Sequence, residues 1–195
     1  MAAGELSKMS HEHGFSEMLG WADWVIGWAA CEQNRVELGL AKMAASIAFH
    51  QSIGGTVGTP WRRGVLAEGY AKNGRLHDAQ DELRGAIDAA EQTGEHFFDA
   101  ELYRIGGQIT LQSYPPDQLA AESNFRKAIA VAQRQQARLW ELRATVSLAR
   151  LLRDTNPLDQ ARSLLAEIYN WFTEGFDTRD LQEAKQLLNE LDQES

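Results

Sequence analysis

The sequence predicts an all-α protein, an α-solenoid of antiparallel helix pairs, and three observations carry that expectation. Long stretches are rich in Ala, Leu, Glu, Gln and Arg, the strong helix formers, while only four prolines interrupt 195 residues. A pattern of small and apolar residues recurs along the chain. Turn residues stand where each helix of such a pair has to stop. Together these predict helices near residues 4–13, 15–33, 35–53, 59–73, 76–93, 96–112, 116–135, 137–154, 157–174 and 178–193.

The recurrence is clearest between Arg63 and Glu91. Leu66, Ala67, Tyr70 and Gly74, followed by Ala79, Leu83 and Ala86, fall at the spacings of a helical hairpin. Gly74 closes the first helix, since the residue just past a helix end often needs a left-handed backbone. Ala79, Leu83 and Ala86 share one face of the second helix, and the small alanines let the two helices approach closely. The pattern returns three more times. It reads Ile26, Gly27, Ala30, Asn34, Gly39, Met43 and Ser46 in the first hairpin. In the third it reads Ile105, Gly106, Ile109, Ala121, Phe125 and Ala128, with extra residues around Tyr114-Pro115-Pro116. In the fourth it reads Leu148, Ala149, Leu152, Asn156, Ala161, Leu165 and Ile168.

The small residues Gly39, Ala79, Ala121 and Ala161 recur at about 40 residues. This pattern resembles the tetratricopeptide (TPR) hairpin, stretched beyond its usual period of roughly 34 residues. Residues 1–195 are read as one TPR-like helical repeat domain. Hairpins are expected at 15–54, 59–94, 96–136 and 137–175, with a capping helix at 178–194. Residues 1–14 read as the tail of an incomplete repeat, as if the chain began inside an array and left an uncapped apolar edge to dock onto something, a second copy included.

Boundary residues agree. Thr59-Pro60 reads as an N-cap followed by proline in the first turn, where its missing N–H costs nothing. Asn156-Pro157, with Asp159 in the first turn, repeats the device. Thr93-Gly94 and Gly54-Gly55 read as helix exits. Asp177-Thr178 opens the last helix, whose Leu181, Ala184, Leu187, Leu188 and Leu191 make one apolar face opposite a charged one, as a terminal cap requires.

Composition excludes several functions. The formal net charge of −9 and the lack of a basic stripe argue against nucleic acid. No apolar run approaches the roughly 20 residues that span a bilayer, and the N-terminus is not a secretory signal, which points to the cytoplasm. The single cysteine, Cys31, excludes an intramolecular disulfide and reads as a small buried residue of an Ala-rich helix. His11-Glu12-His13 places two histidines two residues apart, on different sides of a helix, unlike metal ligands at i, i+4. Gly54-Gly55-Thr56-Val57-Gly58-Thr59 lacks the Gly-Lys-Ser/Thr ending of a phosphate loop, and no strand precedes it. No cofactor, metal site or catalytic set is expected.

Four blocks sharpen the reading. They are Thr93-Gly94-Glu95 with 100–104, Glu122 to Gln136, Trp140 to Ala144 with 147–151, and Ala161 to Thr178 with Asp180-Leu181. They resemble the C-terminal TPR region of bacterial multidomain signalling proteins. Those proteins carry a class III adenylate/guanylate cyclase or another effector domain, then a regulatory ATPase module, then the array. The resemblance implies a regulatory, partner-binding role beside an ATPase or cyclase module, with the catalytic parts upstream of the array. Tyr103-Arg-Ile-Gly-Gly departs from the pattern: glycine stands where a charged residue is usual, weakening the helix by up to about 1 kcal/mol per glycine.

Trp21, Trp24 and Trp28 recur at i, i+3 and i+7 and form one helical stripe. Two readings stand. One is core packing. The other comes from the repeat register, in which the first helix of each pair lines a concave groove. That register assigns Trp21, Trp24 and Trp28 to the groove in the first hairpin and Trp61, Glu68 and Lys72 in the second. Tyr103 follows in the third, and Arg143, Arg150 and Arg153 in the fourth. Aromatic residues and arginine dominate interface energies. The expected partner is a peptide or helix with an apolar anchor at the tryptophan end and acidic groups at the arginine end. A small effector in the same groove is the alternative.

Overall fold

The computed structural model describes residues 2–155 and 158–194. Among these, ten helices account for nearly all regular structure and no strand occurs: α1 (Ala2–His13), α2 (Ser16–Glu32), α3 (Val36–Ser52), α4 (Thr59–Lys72), α5 (Leu76–Thr93), α6 (Asp99–Gln112), α7 (Gln118–Arg134), α8 (Arg138–Thr155), α9 (Leu158–Tyr169) and α10 (Arg179–Glu194). The helices pack in adjacent pairs. The chain divides into two compact units, Met1–Glu95 and His96–Ser195.

In the first unit, α2 packs on α3 and α4 on α5, with α1 laid against α2. The crossings are made of small residues. Ala22, Ala67, Ala79 and Ala86 are fully enclosed. The α2–α3 crossing is tighter still, because Gly27 meets Gly39. A methyl group at Gly39 would stand 2.6 Å from the Gly27 carbonyl oxygen and 2.3 Å from Cys31 Sγ, closer than real contacts allow. The exits are left-handed at Gly54, Gly74 and Gly94, as expected, and Asn34 does the same work between α2 and α3.

One boundary differs from expectation. The N-cap of α4 is Gly58 in a left-handed conformation, and Thr59 lies inside the helix with its hydroxyl buried and unpartnered. Gly58 is needed twice over. Its φ is +69°, and a Cβ there would strike the Trp21 ring. Its N–H donates to Glu95 Oε2 at 2.8 Å instead of staying orphaned.

In the second unit, α6 pairs with α7, α8 with α9, and α10 covers both α8 and α9. Leu181, Ala184, Leu187 and Leu191 of α10 join Leu142, Val146, Ala149, Leu152, Ala161, Leu165 and Ile168 in one core, which bears out the apolar face of the last helix. The glycine expected to weaken α6 has a packing reason: a Cβ on Gly107 would lie 2.4 Å from Phe125 Cε1, so it lets α7 come close. Helix α9 stops at Tyr169, five residues short of expectation. The chain turns there, with Trp171 edge-on to Phe172 and a left-handed Gly175 before α10. The expected Asn156-Pro157 start lies outside the described residues. Among the described residues, no helix is long and apolar enough to cross a membrane.

Candidate binding site between three helices

The tryptophan stripe of α2 divides into two parts. Trp24 is 3% exposed and sits 4.6 Å, ring to ring, from Trp61 of α4. Trp21 stacks on Trp61 at 5.9 Å and lies edge-on to His50. Core packing therefore holds for Trp24, and Trp21 and Trp61 belong to the same cluster. These three rings fill the space between the first half of α2 and the start of α4.

Beneath Trp21 lies a buried polar group. The Arg62 guanidinium is enclosed, 4.6 Å over the Trp21 ring, and donates through Nη2 to His50 Nδ1 at 2.7 Å. His50 Nε2 points towards Glu17 at 3.6 Å. Burial lowers the His50 pKa below its ordinary value, and the Arg62 charge lowers it further. The imidazole is thus held neutral, as an acceptor for Arg62. This cluster ties α2, α3 and α4 together.

Further along α2 the filling stops. Trp24 faces Trp61, so the next turn of α2 faces Val65 and Gly69 of α4, which are too small to reach across. A cavity of about 310 Å³ results. Trp28, Cys31 and Glu32 line it from α2; Val36, Leu40 and Met43 form its floor from α3. Val65, Glu68, Gly69 and Lys72 close the α4 side, with Asn73 just beyond. Trp28 is 45% exposed, unlike Trp24 one turn before it. Lys72 pairs with Glu68 at 3.3 Å on the rim. So three residues assigned to the groove, Trp28, Glu68 and Lys72, surround one cavity. Sequence reasoning missed the floor, because Leu40 and Met43 look like ordinary core positions of α3.

Cys31 is half-buried at this cavity rather than fully enclosed. Its thiol leans towards the Val36 carbonyl at 3.8 Å. Burial, with the Glu32 charge beside it, raises its pKa, which leaves it a sluggish nucleophile at neutral pH.

The groove candidates of the second unit are engaged within their own unit. Tyr103 lies against Lys127 of α7, 4.1 Å from ring centre to ammonium, and packs beside Ala100, Val131 and Ala132. Arg143 donates to Asp180 at 2.8 Å and to the buried Glu101 at 3.2 Å. Burial alone would lower its pKa, but the Asp180 hydrogen bond and the Glu101 charge more than reverse this and raise it. Arg150 faces Glu183 at 3.6 Å and Arg153 faces Glu190 at 2.9 Å. The carboxylates of α10 thus occupy the places expected for an acidic partner. Glu101 and Arg104, a buried pair with two 2.9 Å hydrogen bonds, anchor the other end of the row. Neither was singled out in the sequence, because helical carboxylates are mostly solvated.

At the N-terminal end, Leu6, Met9, Phe15 and Met18 remain exposed along α1 and α2. Among the described residues, no three His, Cys, Asp or Glu side chains converge as metal ligands. No protein-family model matches the chain, and no curated protein matches it significantly.

Proposed function

We propose that this chain is a non-catalytic interaction module of TPR-like helical repeats that binds a segment of another protein. The observation that carries this reading is the cavity of the first unit. It places an exposed tryptophan over an apolar floor, beside charged groups able to orient a bound side chain. Its volume is at the lower end of ligand pockets, which run from about 300 to 1,000 Å³. That suits one or two side chains better than a nucleotide-sized cofactor.

The finer reading rests on the sequence blocks alone. In it the module works in the cytoplasm, in or alongside a bacterial signalling protein with an ATPase or cyclase module. The exposed apolar residues of α1 and α2 offer a second contact, to a neighbouring repeat or another copy.

The test is selection of a random linear-peptide display library against the full chain, together with ATPase and cyclase assays of the purified protein. Convergent peptides that compete with one another, and lose binding on Trp28→Ala, support the proposal. Turnover of either nucleotide by the chain, or failure of any peptide to enrich, sinks it.

A further inference from the structure

We infer that the cavity between α2, α3 and α4 takes one large apolar side chain from a basic segment, a peptide or helix in which lysine or arginine flanks the anchor. This rests on the interaction-module reading and specifies its ligand.

The floor dictates the anchor. Val36, Leu40 and Met43, with Val65 beside them, offer only hydrocarbon and thioether, and the Trp28 ring has almost half its surface in solvent. Covering that ring and filling the space removes apolar surface from water on both partners. Methionine on the floor adapts to anchors of different shape.

The rim dictates the flanks. Glu68 there already holds Lys72, while Glu32 stands on the rim as a second carboxylate. Among the described residues no cation pairs with the exposed Glu32. An acidic flank would meet an uncompensated negative charge, and a basic one would complete it. The chain's net charge of −9 draws basic segments in the same direction at long range. The arginines behind the acidic-partner expectation belong to the second unit, where they pair with α10.

The cavity contains its own reporter. Cys31 is the chain's one cysteine and part of the lining, so alkylation by iodoacetamide marks this site alone. Peptides enriched from a random linear library against the full chain are sequenced. Their protection of Cys31 is then followed by intact mass. The expected peptides carry a large apolar residue next to lysine or arginine. With about nine in ten sites filled, they slow alkylation about tenfold, since only the open fraction reacts. Glu32→Gln weakens them about two- to fivefold, as for an exposed ion pair, and lessens their salt dependence. Val65→Trp, which fills the space, abolishes protection while the circular-dichroism spectrum stays helical.

Peptides with acidic flanks, or enriched peptides that leave the Cys31 rate unchanged, overturn this occupant while the interaction-module reading stands. So does alkylation that slows with protein concentration alone, which would make a second copy the occupant. If no peptide enriches, the interaction-module reading itself fails.

Discussion

Replacing Gly39 with alanine pits two effects of known sign against each other. Alanine is the better helix former by about 0.5–1 kcal/mol, which alone would stabilise α3. The new methyl group, however, meets backbone: the Gly27 carbonyl oxygen at 2.6 Å and the Cys31 nitrogen at 2.8 Å. Neither atom can swing aside as a side-chain tip can. Helices α2 and α3 must separate by about half an ångström or more, and overpacking of this kind costs about 1–3 kcal/mol. The net expectation is a loss of about 1–2 kcal/mol.

Gly20 supplies the control on the same helix pair. A Cβ there meets Phe49 at 3.4 Å and His50 at 3.7 Å, ordinary contact, so Gly20→Ala keeps the helix-propensity gain. The two variants should differ by about 2 kcal/mol. With a urea slope of about 2 kcal/mol/M, their midpoints lie about 1 M apart on opposite sides of the parent. Tryptophan fluorescence reads the transition, since Trp21, Trp24, Trp28 and Trp61 all belong to the first unit. A Gly39→Ala midpoint equal to or above the parent's would refute the argument that backbone contact sets this crossing.

Three further outcomes follow from other contacts. His50 is neutral in the fold with a lowered pKa, so its contribution is intact above the unfolded value near 6.5 and is lost as pH falls through the lowered one. Thermal melts between pH 5 and 7 should show a slope of up to about 1.4 kcal/mol per pH unit, which His50→Gln, still an acceptor for Arg62, flattens. In the second unit, Arg104→Met leaves the 2%-exposed Glu101 carboxylate with the longer 3.2 Å contact to Arg143 in place of its two close hydrogen bonds, and should cost about 3 kcal/mol. Arg143→Met, at a side chain 41% exposed, should cost under about 1 kcal/mol in the same denaturation assay. Leu187→Ala opens a hole beneath α10 and should lower stability by about 2–5 kcal/mol, with faster amide exchange in α8 and α10 as the local readout.

The helices were legible because their signals are local. Ala79, Ala86, Ala121 and Ala161 sit at crossings where the repeat spacing placed them, and Gly54, Gly74 and Gly94 end helices by backbone geometry that glycine alone adopts cheaply. The end of α9 was not legible, because Trp171 and Phe172 continue an apolar rhythm that the chain spends on a turn instead. The site was half legible. Register brought out Trp28, Glu68 and Lys72, but the same register put Trp24 beside them, and only the position of Trp61 decides that Trp24 is buried. The partners of the arginine row were not legible for a related reason: Asp180, Glu183 and Glu190 are about 30 to 40 residues away in sequence, and spacing within one helix says nothing of them.

The contact of Gly27 with Gly39 also has a mechanical side. Side-chain packing yields a little under load, because rotamers can change; main chain pressed on main chain does not. Helices α2 and α3 therefore behave as one stiff beam, while α2 meets α4 only through long side chains such as Trp24 and Trp61. A guest wedged beside Trp28 cannot drive α2 into α3. It would press instead on α4, the side of the cavity that meets α2 through side chains.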